Sequence, residues 1–195
     1  MNFMRAATLK KRQLMIDTAL AMFMEQGYEN VSVDDIIAAT RTSKGTFYHY
    51  FKSKDQLLLH MAEKQTAVVD RWLGTTPANV QSLEGHINRL LLDLGSTLSD
   101  SRKLMRSLIS LQAQSEAVNA GLQRHWNYMR LSLLKWMPDE HKVDLLVDCY
   151  LGVVTRWCFQ EQVRLNDMLE NSLALLWNGL RSEGPAGRPL VAAPY

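Results

Sequence analysis

Apolar residues recur along this chain at spacings of three and four, the repeat that lines one face of an α-helix. No stretch alternates apolar and polar residues convincingly as a strand would, and no internal repeat appears. Ile16, Ala19, Leu20 and Phe23 predict a first helix over about 9–26. Gly27 then acts as its C′ residue, with Tyr28 folding back as hydrophobic partner. Ser32, with Asp35 three residues on, predicts an N-cap. The short helix that follows, about 33–40, buries Val33, Ile36 and Ala39. Arg41 and Thr42 turn the chain into a third helix over about 43–50. Ser53 and Gln56 have capping-box spacing and predict a fourth helix that runs to Leu73 and stops at Gly74.

Residues 75–79 are the clearest loop. Leu83, Ile87, Leu90, Leu91, Leu94 and Leu98 share one face of a fifth helix, and a sixth spans about 102–112. The seventh, about 115–137, is closed by Pro138. The eighth covers about 140–162, with Asp139 and Glu140 complementing its N-terminal dipole. The ninth covers about 165–182, and residues 184–195 read as a flexible tail. The fold class is therefore all-α, with about nine helices. Residues 1–53 are expected to form a helix-turn-helix unit, and 54–183 a second helical domain.

The third helix carries the most informative chemistry. Phe47 and Phe51 lie four apart and can anchor one face in a core. Lys44, Thr46, Tyr48, His49 and Tyr50 must then point elsewhere. A short helix with a buried aromatic seam and a polar, cation-bearing outer face suits the major groove of DNA. Ser43, Lys44, Gly45 and Thr46 stand at its start, where free N–H groups attract phosphate oxygens. Charge agrees with this end of the chain as the docking end. Residues 1–54 hold eight Lys/Arg against five acids, whereas the remainder holds fourteen against fifteen.

The run from Met15 through Phe23, Gly27-Tyr28 and Val31 to Ile36, then Ser43-Lys44-Gly45-Thr46-Phe47-Tyr48-His49-Tyr50-Phe51-Lys52-Ser53-Lys54, closely resembles the DNA-binding domain of the TetR (tetracycline-repressor-like) family of bacterial transcription regulators. The resemblance covers about 45 residues; the rest is similar only in length, helical content and ordering. It implies a homodimer that binds a double-stranded DNA operator and is released by a small-molecule effector. Lys44, Gly45, Thr46, Tyr48, His49, Tyr50 and Lys54 match positions that meet DNA in the family. Tyr48 is expected near bases and phosphate, with Tyr50 and Lys54 as phosphate clamps. One departure is Thr40-Arg41-Thr42-Ser43 where the family usually has Ala-Gly-Val-Ser. If that glycine has positive φ, Arg41 costs about 1 kcal/mol there. Arg41 then either touches a phosphate or is an ordinary exposed turn residue.

Trp72, Met105, Trp126, Met129 and Trp136 are candidates for an apolar effector pocket, and core packing explains the same residues. The eighth and ninth helices are the dimerisation candidates through Val147, Tyr150, Val154, Trp157, Leu173, Leu176 and Trp177. Five consecutive apolar residues, Leu173 to Trp177, cannot all face one stripe. Arg102, Lys103 and Arg106 form a basic cluster that suits an anionic effector or a solvated face. No nucleophile elbow, phosphate loop or close histidine pair appears, so no catalytic residue, metal or cofactor is expected. Two cysteines and no apolar run near the roughly 20 residues of a bilayer span fit a reduced cytoplasmic protein without a signal peptide. The competing reading is a helical small-molecule-binding or protein-interaction module whose N-terminal domain does not meet DNA.

Overall fold

A computed structural model describes residues 2–75 and 80–181, without the side chains of 2–7 and 80–82. Among the described residues the chain is helical, with no strand. The helices are α1 Asn2–Gln26, α2 Val33–Thr40, α3 Lys44–Tyr50, α4 Asp55–Leu58, α5 His60–Leu73, α6 Val80–Ser96, α7 Arg102–Gln112, α8 Glu116–Leu134, α9 Glu140–Cys158 and α10 Leu165–Arg181. The expected fourth helix is thus two, α4 and α5, separated at Leu59. It also starts later than expected. Gln56 accepts from the N–H of Lys52 at 3.0 Å, and Ser53 caps nothing. The first helix begins seven residues earlier than its apolar face indicated, at Asn2. The eighth expected helix ends at Cys158, four residues early. The expected loop beyond Thr75 and the expected tail lie outside the described residues.

Local chemistry explains the boundaries that match. Gly27 takes φ 88°, a conformation only glycine adopts cheaply, and its N–H donates to Phe23 at 3.0 Å. Tyr28 folds back edge-on against Phe23, their centroids 5.0 Å apart. Its hydroxyl donates to Asp55, tying the turn after α1 to α4. Ser32 and Asp35 form a reciprocal capping box at 3.1 and 2.8 Å. That hydroxyl, and then the Ser32 N–H, hold the Asp35 carboxyl below its usual range. Ser115 and Asp139 cap α8 and α9 one way, accepting from the N–H of Val118 and Lys142.

Helices α1 to α3 pack as one end of the molecule around Ile16, Phe23, Ile36 and Phe47. Helices α5 to α10 pack as a bundle around Leu91, Met129, Tyr150 and Trp157. Helix α4 joins the two by touching α1, α7 and α8. No described helix is long and apolar enough to cross a membrane.

Candidate nucleic-acid interface and helical cleft

The α2–turn–α3 unit is built by short-range hydrogen bonds. The Thr40 hydroxyl sits 2.7 Å from Ile36 O and 2.9 Å from the Thr42 hydroxyl. Arg41 adopts φ 50°, ψ 42°, the left-handed conformation anticipated for the position where glycine is usual. Ser43 opens α3 by accepting from the Thr46 N–H at 3.1 Å. Phe47 is fully buried and Phe51 is 3% exposed, with ring centroids 5.5 Å apart. This aromatic anchor leaves Ser43, Lys44, Gly45, Tyr48 and His49 facing solvent and Thr46 and Tyr50 half-buried. Tyr48 is 50% exposed while its ring leans edge-on against Phe47. Lys44 pairs with Asp34 at 3.0 Å, which raises its pKa through that hydrogen bond. Gly45 has ordinary φ, and a Cβ there would meet only Ser43 Oγ at 3.9 Å. The protein's own packing therefore does not require glycine at this position.

Lys54 departs from the expected phosphate clamp. Its ammonium donates to the carbonyls of Tyr28 at 2.9 Å and Val31 at 3.0 Å, and lies 4.2 Å from the centre of the Tyr28 ring. Two of its three protons fasten the turn between α1 and α2. Conversely, Thr8 and Lys11 of α1 border a groove of about 600 Å³ with Ser43, Gly45, Thr46, His49 and Tyr50. They were not singled out because the apolar pattern starts α1 too late. The cationic run Lys10-Lys11-Arg12 was the available signal. Arg12 itself is engaged with Glu63 at 3.2 Å and lies over the Phe51 ring.

A cleft of about 650 Å³ opens between α7, α8 and α9. Met105 and Trp126 line it, with Leu108, Ile109, Leu122, Val147 and Val154. Trp72, Met129 and Trp136, expected there too, are elsewhere. Met129 is fully buried in the core. Trp72 donates to Asp93 at 2.8 Å, and its ring and that of Trp136 flank His86 edge-on at 4.8 and 4.5 Å. These two tryptophans pack edge-on about a histidine, so packing accounts for them. Polar lining comes from Gln112, Gln123, Asn127, Arg130, Asp144, Asp148 and Thr155. Arg130 donates to Asp144 and, at 2.8 Å, to Glu140, which raises its pKa in that order.

The basic cluster on α7 is neither a solvated face nor an anion site in full. Arg102 donates to the carbonyls of Glu161 and Val163 at 2.6 Å, and Arg106 to that of Cys158 at 2.9 and 2.6 Å. Both guanidiniums thereby staple the α9–α10 connection. Burial pushes the Cys158 thiol up to about 11 and raises that of Cys149, so neither is an activated thiolate.

The expected dimerisation residues need correction. Val147, Tyr150, Val154, Trp157, Leu173 and Trp177 are buried within their own chain, and Leu176 is half-buried. Their faces are used by α9 packing on α7, α8 and α10, and by α10 packing on α6. Tyr150 accepts from Gln65 at 2.9 Å, and Trp177 donates to Asn88 at 2.7 Å. The opposite face of α9 carries exposed Leu145 and Gly152, Phe159 is exposed just beyond the end of α9, and α10 carries Leu175, 75% exposed. Ala174 and Leu175 are the residues that the five-apolar run forces off the core stripe.

Residues 15–61 match the family described as bacterial regulatory proteins, tetR family. The chain is 38% identical to the transposon Tn10 TetC protein of Escherichia coli over 63 residues, 32% of each chain. It spans about a third or less of the length of the first curated relatives it matches. A structure of a putative TetR-family regulator from Syntrophomonas wolfei superposes with TM-score 0.70 at 16% identity, over 91% of this chain and 98% of that one. Thermus thermophilus FadR, a TetR-family transcriptional repressor in complex with lauroyl-CoA, superposes with TM-score 0.66 at 18% identity, over 91% and 99%.

Proposed function

We propose, on the premise that this chain belongs to the TetR family of bacterial regulatory proteins, that it regulates transcription as an effector-released homodimeric repressor. In this reading residues 1–53 form the DNA-binding unit and 54–183 the effector and dimer unit. The work is done in the cytoplasm, on a pseudo-palindromic operator. The observation that carries the reading is the outward face of α3, where Lys44, Gly45, Tyr48 and His49 stand clear of the buried Phe47 and Phe51. Gly45 leaves room for the duplex to approach the first turn of α3 closely. Lys44 exchanges Asp34 for a phosphate, and Lys11 adds a second cation from α1 across the groove. Ser43 and Thr46 offer hydroxyls, Tyr48 and His49 reach base edges, and Tyr50 meets the backbone. Lys54 acts indirectly by holding the α1–α2 turn.

The second copy covers the apolar face left over by the monomer. Leu145 and Gly152 of α9, with Phe159 just after it and Leu175 of α10, meet their symmetry mates about a two-fold axis. A Cβ on Gly152 would meet nothing within 4 Å, so a partner helix can come close there. Two α3 helices then enter successive major grooves about 34–36 Å apart, or a multiple of that.

The effector enters the α7–α8–α9 cleft, and the solved relative holding lauroyl-CoA supports a small-molecule site in a body of this fold. Helix α8 forms one cleft wall and also touches α4, which follows α3 directly. A ligand that displaces α8 therefore moves α4 and the spacing of the two α3 helices. To swing the DNA-competent population from 99:1 to 1:99 it must prefer the released state about 10⁴-fold.

Selecting bound sequences from random duplex DNA tests the reading. The expected product is a two-half-site motif whose affinity falls steeply with salt. Failure to enrich any motif, or binding indifferent to salt, refutes it. Leu175→Glu should yield a monomer in sedimentation and weaken operator binding. A dimer that survives this change places the interface elsewhere.

A further inference from the structure

We infer that Asp34 competes with DNA for Lys44, and so sets the affinity of α3 below what its cation would otherwise give. The inference rests on the reading above that α3 docks on DNA, and adds what restrains that docking. Lys44 is the one Lys or Arg of α3. Its ammonium faces both oxygens of the Asp34 carboxylate, 3.0 Å from Oδ1 and 3.3 Å from Oδ2. Both residues are exposed, so the carboxylate stands on the same surface as the cation it neutralises.

The carboxylate stays in place when DNA arrives. Helix α2 is fixed by fully buried Ile36 and by its capping box, and α3 by fully buried Phe47 and the Ser43 cap. Asp34 therefore travels with α3 as part of one unit. A phosphate that takes Lys44 must displace this partner and then lie near its uncompensated charge. A phosphate that leaves the pair intact meets a cation already neutralised. Either course weakens one phosphate contact, and such contacts supply the sequence-independent part of DNA binding. Helix α2 does not need Asp34 for its cap. The Ser32 N–H and hydroxyl both donate to Asp35, at 2.8 and 2.6 Å. An exposed ion pair contributes little to stability, so the effect of this one falls on DNA affinity.

Fluorescence anisotropy of a labelled duplex of scrambled sequence, titrated with the full chain at several salt concentrations, tests this. Asp34→Asn should bind about threefold or more tightly than the unaltered protein and steepen the salt slope by up to about 0.9, one phosphate contact. Asp34→Glu rebuilds the pair and should stay near the unaltered protein. Glu29→Gln removes the same charge from an exposed position between α1 and α2, and should gain less than Asp34→Asn. In a Lys44→Met background the gain from Asp34→Asn should shrink to that of Glu29→Gln, because only net charge then changes. The DNA-free melting temperature should move little in Asp34→Asn. Unchanged or weaker binding by Asp34→Asn would overturn the inference, as would a gain that persists in full without Lys44. A marked fall in melting temperature with no gain in affinity would make the pair a strut between α2 and α3 instead. If the unaltered protein binds no duplex at any salt, the DNA-binding reading fails with it; if it binds and Asp34→Asn does not differ, only this inference fails.

Discussion

Gly121 of α8 packs directly on Leu59, the residue that separates α4 from α5: a Cβ at Gly121 would stand 2.6 Å from Leu59 Cδ1 and 2.8 Å from Cδ2. Its neighbour Leu122 lines the cleft, so one turn of α8 joins the cleft wall to the helices that follow α3. Gly121→Ala gains about 1 kcal/mol of helix propensity but costs about 1–3 kcal/mol by crowding Leu59. The expected net loss is roughly 0–2 kcal/mol in denaturant unfolding. Adding Leu59→Ala opens the space, so the two changes should be non-additive by at least about 0.5 kcal/mol. Additive effects would mean that this contact does not link the two helices energetically.

Lys54 is predicted to stabilise the fold more than it binds phosphate. Its two carbonyl partners are 26 and 23 residues back in the chain, and each is a charge-assisted hydrogen bond. Lys54→Met keeps the apolar stem and removes both bonds. The expected loss is about 1–3 kcal/mol, read as a lower unfolding midpoint of the DNA-free protein. An unchanged midpoint, with only the salt slope of DNA binding reduced, would return Lys54 to the clamp role.

Arg41 holds a left-handed backbone conformation that costs an L-residue about 1–2 kcal/mol. Arg41→Gly removes that strain but adds unfolded-chain entropy, leaving a net gain of about 0.5–1 kcal/mol. The melting temperature should therefore rise. If Arg41 also contacts a phosphate, the salt slope of operator binding falls by about 0.9. A drop in melting temperature would show that the guanidinium makes up for its backbone.

What was legible in the sequence follows the range of the interactions. The start of α2 was readable because its cap, Ser32 with Asp35, closes within three residues. The outward set on α3 followed from the four-residue spacing of Phe47 and Phe51. The break at Leu59 was not readable, since it accompanies a close approach by Gly121, 62 positions later. Nor could periodicity say whose core a face meets. The stripe from Val147 to Trp157 looks the same whether it covers a second subunit or the chain's own α7, α8 and α10. Lys54 and Arg102 read as free cations because their carbonyl partners are distant in sequence. Trp72 and Trp136 read as pocket walls because nothing local announces His86 between them.

A buried polar chain makes stability depend on mild acid. His125 lies between Thr66 Oγ1 at 3.1 Å and Gln65 Oε1 at 3.2 Å, and Gln65 continues to the Tyr150 hydroxyl. Burial lowers the His125 pKa from 6.5 to about 4. The folded protein thus keeps this imidazole neutral, while the unfolded chain binds its proton below about pH 6.5. The stabilising contribution is whole above pH 6.5, falls as the pH drops toward about 4, and is constant below that. Its upper bound over that window is roughly 3 kcal/mol. His86, lowered mainly by burial, adds in the same direction, so the comparison must be with a variant. His125→Gln retains a polar partner and should flatten the pH dependence of the unfolding free energy between pH 4.5 and 6.5, whatever its stability at pH 7. Titration of the His125 ring by NMR in the unaltered protein gives a check that needs no mutant. A ring that protonates with a midpoint near 6.5 in the folded state would remove the effect altogether.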